Sequence, residues 1–237
     1  MGKITSVRAY ANNEVAYIAW DIDDRIDDCL GFEVTRIILD DQGNDTADRV
    51  KCAAWVAFKG QRNPYWLPQD TGVWPIQKMS WRDLTLRKKR RGAERRPDEV
   101  RVRYEVRPVG DVKPGLAPVP GQAPRTVTVA KRDSKGKPVI GANGKPVMIQ
   151  DKEYSGQRRE LGYLGPAVSS NKIHVTRHRG KFHSTFTNGI LAAQWLGNVL
   201  LEDGIVGPNE LIEKLEDPAD PHRKYLAGDV LPLLREL

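Results

Sequence analysis

Val100, Val102, Tyr104 and Val106 alternate with Arg101, Arg103, Glu105 and Arg107. Successive side chains of a strand point to opposite sides of a sheet, so this run predicts a strand with one buried and one wet face. Residues 15–20, ending at Trp20, predict a second strand, and residues 31–36 a third that runs on into Ile37, Ile38 and Leu39. Residues 49–58 predict a further one. The acidic stretch 21–28 and the Asp/Gly/Asn-rich stretch 40–45 carry turn chemistry. Short strands at this spacing predict a mainly β fold, a β-sandwich of the immunoglobulin kind.

Beyond residue 187 the apolar period becomes helical. Asn188 caps a helix with Ile190, Leu191, Trp195, Val199 and Leu200 on one face and Gly204 as its stop. Pro208 opens a second helix with Leu211, Ile212 and Leu215 inward. Pro221 opens a third, with Tyr225, Leu226, Val230, Leu233, Leu234 and Leu237 along one side and Pro232 as a kink point. Residues 1–180 therefore read as the sandwich and 181–237 as a short C-terminal helical linker segment. The third helix ends on an apolar residue without a cap, which reads as a piece of a longer polypeptide.

Residues 110–160 change character. Pro and Gly crowd 113–124, Lys and Gly dominate 131–152, and Gly136-Lys137-Pro138-Val139 recurs as Gly144-Lys145-Pro146-Val147. This stretch reads as a flexible, basic insertion in the sandwich, a long loop or a hairpin.

Composition narrows the class. The 237 residues are 39% hydrophobic, enough for a sizeable core, and no run approaches the ~18–20 apolar residues of a membrane span. The N-terminus enters a strand pattern with no apolar signal region, which predicts a cytoplasmic protein. Cys29 and Cys52 are too few for a disulfide framework, no metal-ligand spacing surrounds them, and no cofactor is implied.

The net charge of +7 permits a polyanionic partner. Much of the excess sits in Arg87, Lys88, Lys89, Arg90, Arg91, Arg95 and Arg96, in a loop between two strands. These residues are the candidate nucleic-acid contact, gripping phosphates without reading bases. With no aromatic interleaved for stacking, the run reads as a solvated loop ahead of that contact. A second basic cluster, His174, Arg177, His178, Arg179, Lys181 and His183, reads as solvated or phosphate-contacting surface ahead of a metal site. Asp21, Asp23, Asp24, Asp27 and Asp28 lack the spacing of a calcium loop and read as an exposed acidic turn. Trp55, Trp66, Trp74 and Trp81 read as core and loop-bracing residues ahead of a sugar- or base-binding face.

The order of strands carries a resemblance. A strand ending in Trp20, then Gly31-Phe32-Glu33-Val34-Thr35-Arg36, then residues 104–110 beginning Tyr104-Glu105-Val106-Arg107, then Pro166-Ala167-Val168-Ser169-Ser170, resembles a fibronectin type III domain. The resemblance covers residues 4–175, with longer loops than the family has. It implies a core Trp on the second strand and a tyrosine-corner role for Tyr104, its hydroxyl bonding to backbone.

A sandwich of this kind followed by residues 186–194 and 217–237 resembles the N-terminal region of bacterial phospholipase D-like proteins, phosphodiesterases of phospholipid or nucleic-acid backbones. Their catalytic signature is H-x-K-x(4)-D, normally present twice, and it implies a nucleophilic His and phosphate-holding Lys. One copy of the spacing occurs here, His222 to Asp229 with Lys224 between. The preceding Asp217-Pro218-Ala219-Asp220-Pro221 is a helix start, which favours an amphipathic linker helix at these residues.

The expected function is thus the accessory, docking N-terminal region of a phospholipase D-like phosphodiesterase without a complete catalytic centre. Its partners would be catalytic lobes of the same polypeptide or of a partner subunit. The alternatives are a non-enzymatic nucleic-acid-binding or scaffold subunit using residues 87–96, and a homodimeric minimal phosphodiesterase using His222, Lys224 and Asp229.

Overall fold

A computed structural model describes residues 2–65, 67–86, 99–121, 123–154, 159–185, 208–227 and 230–236. The chain divides into two compact units, Met1–Arg125 with Lys152–Thr176, and Thr126–Asp151 with Arg177–Leu237.

The first unit is built from antiparallel strands. β1 (Ile4–Ala11), β2 (Ala16–Ile22) and β7 (Ser80–Asp83) form one sheet in the order β1-β2-β7. β3 (Cys29–Leu39), β4 (Asp45–Lys51), β8 (Glu99–Asp111) and β11 (Leu161–Tyr163) form the second, ordered β11-β8-β3-β4. The last strands, β12 (Val168–Ser169) and β13 (Ile173–Thr176), also pair with β8. A two-residue pair, β5 (Ala53–Ala54) with β6 (Gln69–Asp70), flanks them.

One cluster of buried side chains draws on both sheets: Val7, Ala9, Ile18 and Trp20 from the first, Phe32, Val34, Val102, Tyr104 and Val106 from the second. The chain is therefore mainly β and its two sheets share a core, as a sandwich does. Trp20 meets Phe32 edge-on across this core, with ring centroids 5.2 Å apart. The long strand β8 buries its even-numbered residues and turns the odd-numbered charged ones outward, following the alternation of its sequence.

Tyr104 departs from the tyrosine-corner expectation. Its hydroxyl donates to Oδ2 of Asp83 at 3.0 Å, a buried side chain on the opposite sheet, and not to backbone. The reason is electrostatic. Arg36 lies next to Tyr104 in the β3–β8 register and faces the core, so Asp83 is drawn in as its counter-ion and becomes the nearest acceptor.

The basic insertion takes the hairpin form. β9 (Arg125–Ala130) pairs with β10 (Met148–Glu153), and the sequence echo between them folds into two successive turns closed by the bridges Arg132–Pro138 and Ile140–Pro146. Asp133, three residues before Gly136, accepts from the backbone N–H groups of Lys135 and Lys137, and Asn143, immediately before Gly144, accepts from that of Lys145. Three backbone bonds then form a ring: Lys131 N–H to Val147 O, Val147 N–H to Val139 O, and Val139 N–H to Lys131 O.

A short hairpin of β14 (His178–Arg179) and β15 (Phe182–His183) precedes the helices. Of the three helices expected, the one following Asn188 lies outside the described residues. α1 (Pro208–Glu216) begins at the proline that opens it. The run expected as one last helix contains α2 (Pro221–Ala227) and α3 (Val230–Glu236), with 228 and 229 outside the described residues. No helix among the described residues is long and apolar enough to cross a membrane.

Candidate functional site

The charged outer face of the second sheet holds a cleft of about 290 Å³, lined by Glu33 and Thr35 on β3, Arg49 and Lys51 on β4, Glu105 and Arg107 on β8, Tyr163 on β11, and Ala167. Register brings these distant residues together. Glu33 is opposite Arg107, and Thr35 lies between Glu105 on one side and Lys51 on the other. Residues opposite one another in neighbouring strands have Cβ atoms about 5 Å apart, which makes the face a ladder of paired charges.

Glu33 is the floor of the cleft, only 6% exposed. It accepts from Lys51 Nζ at 2.5 Å and from the Tyr163 hydroxyl, 3.1 Å from each carboxylate oxygen. Burial, reinforced by the nearby Glu33 charge, raises the Tyr163 pKa. The Arg107 guanidinium lies 3.6 Å over the Tyr163 ring, and its Nε donates to the Gly165 carbonyl at 2.8 Å. Cation–ring stacking of this kind holds an arginine in one orientation without neutralising it.

Across the cleft, Glu105 receives Arg49 at 2.5 Å and Arg103 at 2.8 Å. Arg103 reaches on to both carboxylate oxygens of Asp45 and to the Ser169 hydroxyl. The Arg103 hydrogen bonds hold the Asp45 carboxyl below its ordinary pKa, and Asp45 in turn raises that of Arg103. The arrangement is a mixed-charge surface whose side chains hold one another through ion pairs. Only the alternation of β8 announced it in the sequence, since its other residues come from strands far apart along the chain.

The second polar constellation is internal. Arg36 and Asp83 pair between the sheets, and Asp83 also accepts from the Thr85 hydroxyl and backbone N–H. Cys52 Sγ lies 4.0 Å from Asp83. Burial drives the Tyr104 and Cys52 pKa values well up, and the Asp83 charge pushes in the same direction. Burial is the largest influence on Arg36 and would lower its pKa, but the Asp83 charge, the neighbouring Cys52 and Tyr104 and the hydrogen bond to Asp83 together raise it. Arg36, Asp83, Cys52 and Tyr104 are buried, and their contacts tie the two sheets together.

The remaining sequence candidates are dispersed. Arg87, Lys88, Lys89, Arg90, Arg91, Arg95 and Arg96 lie outside the described residues, as do Trp66 and Asp229. His222 and Lys224 both belong to α2. Positions two apart on a helix are separated by about 200° around its axis, so this backbone does not bring 222 and 224 to one face as a strand would.

The acidic turn is consumed by internal bonds. Asp21 accepts from the Ser6 hydroxyl, Asp23 from the backbone N–H of Lys3, and Asp28 from Lys113. Among the described residues no three of His, Cys, Asp and Glu gather as a metal site would need. His174 pairs with Glu99 at 3.3 Å, whereas His178 and His183 pair with each other. Trp74 is fully buried with its ring N–H donating to Gln61, and Trp55 stacks on Trp81 at 6.4 Å.

Comparison with protein-family models, with curated proteins and with solved structures finds no match for this chain.

Proposed function

We propose that this chain is a non-catalytic docking module of a phospholipase D-like phosphodiesterase. In this reading a fibronectin type III-like sandwich offers the charged outer face of its larger sheet to catalytic lobes of the same polypeptide or of a partner subunit. The observation that carries it is the strand order. The three-stranded sheet β1-β2-β7 shares a core with the six-stranded one, whose path β11-β8-β3-β4 carries β12 and β13 along β8; Trp20 is buried on the second strand, and Phe32 and Val34 point inward on the third. A two-sheet frame of this sort supplies rigidity, and its function resides in what its faces carry. The Glu33–Lys51–Tyr163–Arg107 cleft, with both signs of charge fixed by neighbours, suits orientation of a polar partner surface.

The test has two arms. The purified chain, assayed on bis(p-nitrophenyl) phosphate in the presence of EDTA, is expected to be inert. Hydrolysis that disappears with His222→Ala would replace the docking reading with the homodimeric phosphodiesterase. Calorimetric titration with a purified catalytic region carrying two H-x-K-x(4)-D motifs is expected to give binding that Arg49→Glu weakens. No heat of binding with that region would overturn the docking role.

A further inference from the structure

The β14–β15 hairpin carries an interaction chemistry separate from the sandwich face. We infer that it binds single-stranded nucleic acid, with Phe182 stacking on an unpaired base and Arg179 and Lys181 contacting the flanking phosphates.

Register sorts the side chains of this hairpin. His178 opposes His183, and their rings meet edge-to-face with centroids 4.2 Å apart, which fixes both on one side of the ribbon. Arg179 opposes Phe182, so this cationic–aromatic pair occupies the other side. Gly180, at φ 61°, makes the turn that brings Lys181 to the tip.

The histidine side is occupied internally. Arg177 Nε donates to His178 Nε2 at 3.1 Å, which makes that nitrogen an acceptor and leaves Nδ1–H to face His183 Nε2, also at 3.1 Å. The clamp joins the two short strands by their side chains and presents the opposite side in a fixed geometry.

On that opposite side Phe182 is 79% exposed, the most exposed large apolar side chain among the described residues, and Arg179 and Lys181 are exposed with it. An aromatic ring standing in water among cations lacks a partner of its own kind within the hairpin. Residues 177–183 hold three cations and no carboxylate. The basic run 87–96 has charge without a ring, whereas this hairpin has both parts that a sequence-tolerant single-strand site uses. A duplex hides its base faces. A lipid bilayer rewards apolar area, and Phe182 is the only large apolar residue between 177 and 183.

Fluorescence anisotropy of the whole chain with labelled oligo(dT), with a duplex of equal length and with phosphatidylserine vesicles tests this inference. Oligo(dT) is expected to bind more tightly than the duplex. Phe182→Ala should weaken it about 5- to 100-fold with an unchanged salt slope, and Phe182→Trp should retain it. Arg179→Ala and Lys181→Ala should each reduce the slope of log K against log salt by about 0.7. Equal affinity for the duplex, binding to vesicles alone, or no binding of oligo(dT) would overturn the inference. So would oligo(dT) affinity that is lost when residues 87–91 become alanine yet is indifferent to Phe182→Ala. Phe182 is exposed, so its substitution leaves the core intact, and an unchanged melting temperature verifies this.

Discussion

Arg36 and Asp83, 47 residues apart, meet at 2.8 Å between the two sheets with side chains 3% and 1% exposed. An ion pair here costs desolvation that a hydrocarbon contact would not, and its value lies in selecting one partner across the core. Tyr104, Thr85 and Cys52 converge on the same carboxylate, so the lock has several members and one centre.

Removal of one member is expected to be worse than removal of both. Arg36→Ala or Asp83→Asn leaves a buried group uncompensated and should destabilise the chain by about 3–5 kcal/mol. The pair Arg36→Met with Asp83→Leu should cost markedly less. Urea unfolding followed by tryptophan fluorescence compares them, and additive losses would refute the coupling.

Alkaline pH should act through tyrosine. Tyr104 and Tyr163 both have folded-state pKa values raised by burial first and by a neighbouring carboxylate second. A raised folded pKa means that the unfolded chain gives up its protons first. The contribution to stability is complete below the ordinary tyrosine pKa near 10 and is lost as pH rises from there through the folded values. Absorbance at the phenolate band should show these two rings silent until the chain unfolds, and Tyr104→Phe should shift the alkaline transition. Titration of all seven tyrosines before unfolding would contradict this.

The cleft floor gives a separate expectation. Tyr163→Phe keeps a ring beneath Arg107 but removes the hydroxyl from Glu33, and a hydrogen bond to a carboxylate is worth about 1.5–3 kcal/mol. Lys51→Met strips Glu33 of its cation and should cost at least as much. Thermal unfolding ranks the two variants. A Lys51→Met protein as stable as the parent would show that Glu33 is not held as a buried charge.

Glycines should split into two kinds. A Cβ at Gly144 meets nothing within 4 Å, so Gly144→Ala pays only for its φ of 73°, about 1 kcal/mol. A Cβ at Gly110 would stand 2.4 Å from the Asp28 carbonyl oxygen, where backbone must move. Gly110→Ala should therefore unfold or misfold the chain under conditions in which Gly144→Ala is folded, as circular dichroism would report.

Much of the frame was legible because burial parity is local. The alternation of residues 100–107 gave β8 its wet face, and Asp40 to Asn44 gave the β3–β4 turn. Arg36 shares parity with Phe32 and Val34, so its inward aim was present in the pattern. Its counter-ion was not, since nothing local marks Asp83 as the residue that the opposite sheet would deliver. That same fact misdirected the expectation for Tyr104, whose hydroxyl follows the nearest charge. The cleft was hidden for a related reason: Glu33, Lys51, Arg107 and Tyr163 become neighbours only through the register of four strands.

The three-membered ring of backbone bonds at Lys131, Val139 and Val147 bears on how the insertion can change length. Excising residues 140–147 would bring Val139 to the place of Val147, and the ring would contract to the reciprocal pair of an ordinary antiparallel ladder. Adding another copy would enlarge it by one vertex. Growth and shrinkage in steps of eight leave the stem in phase, whereas an odd step would turn its faces over.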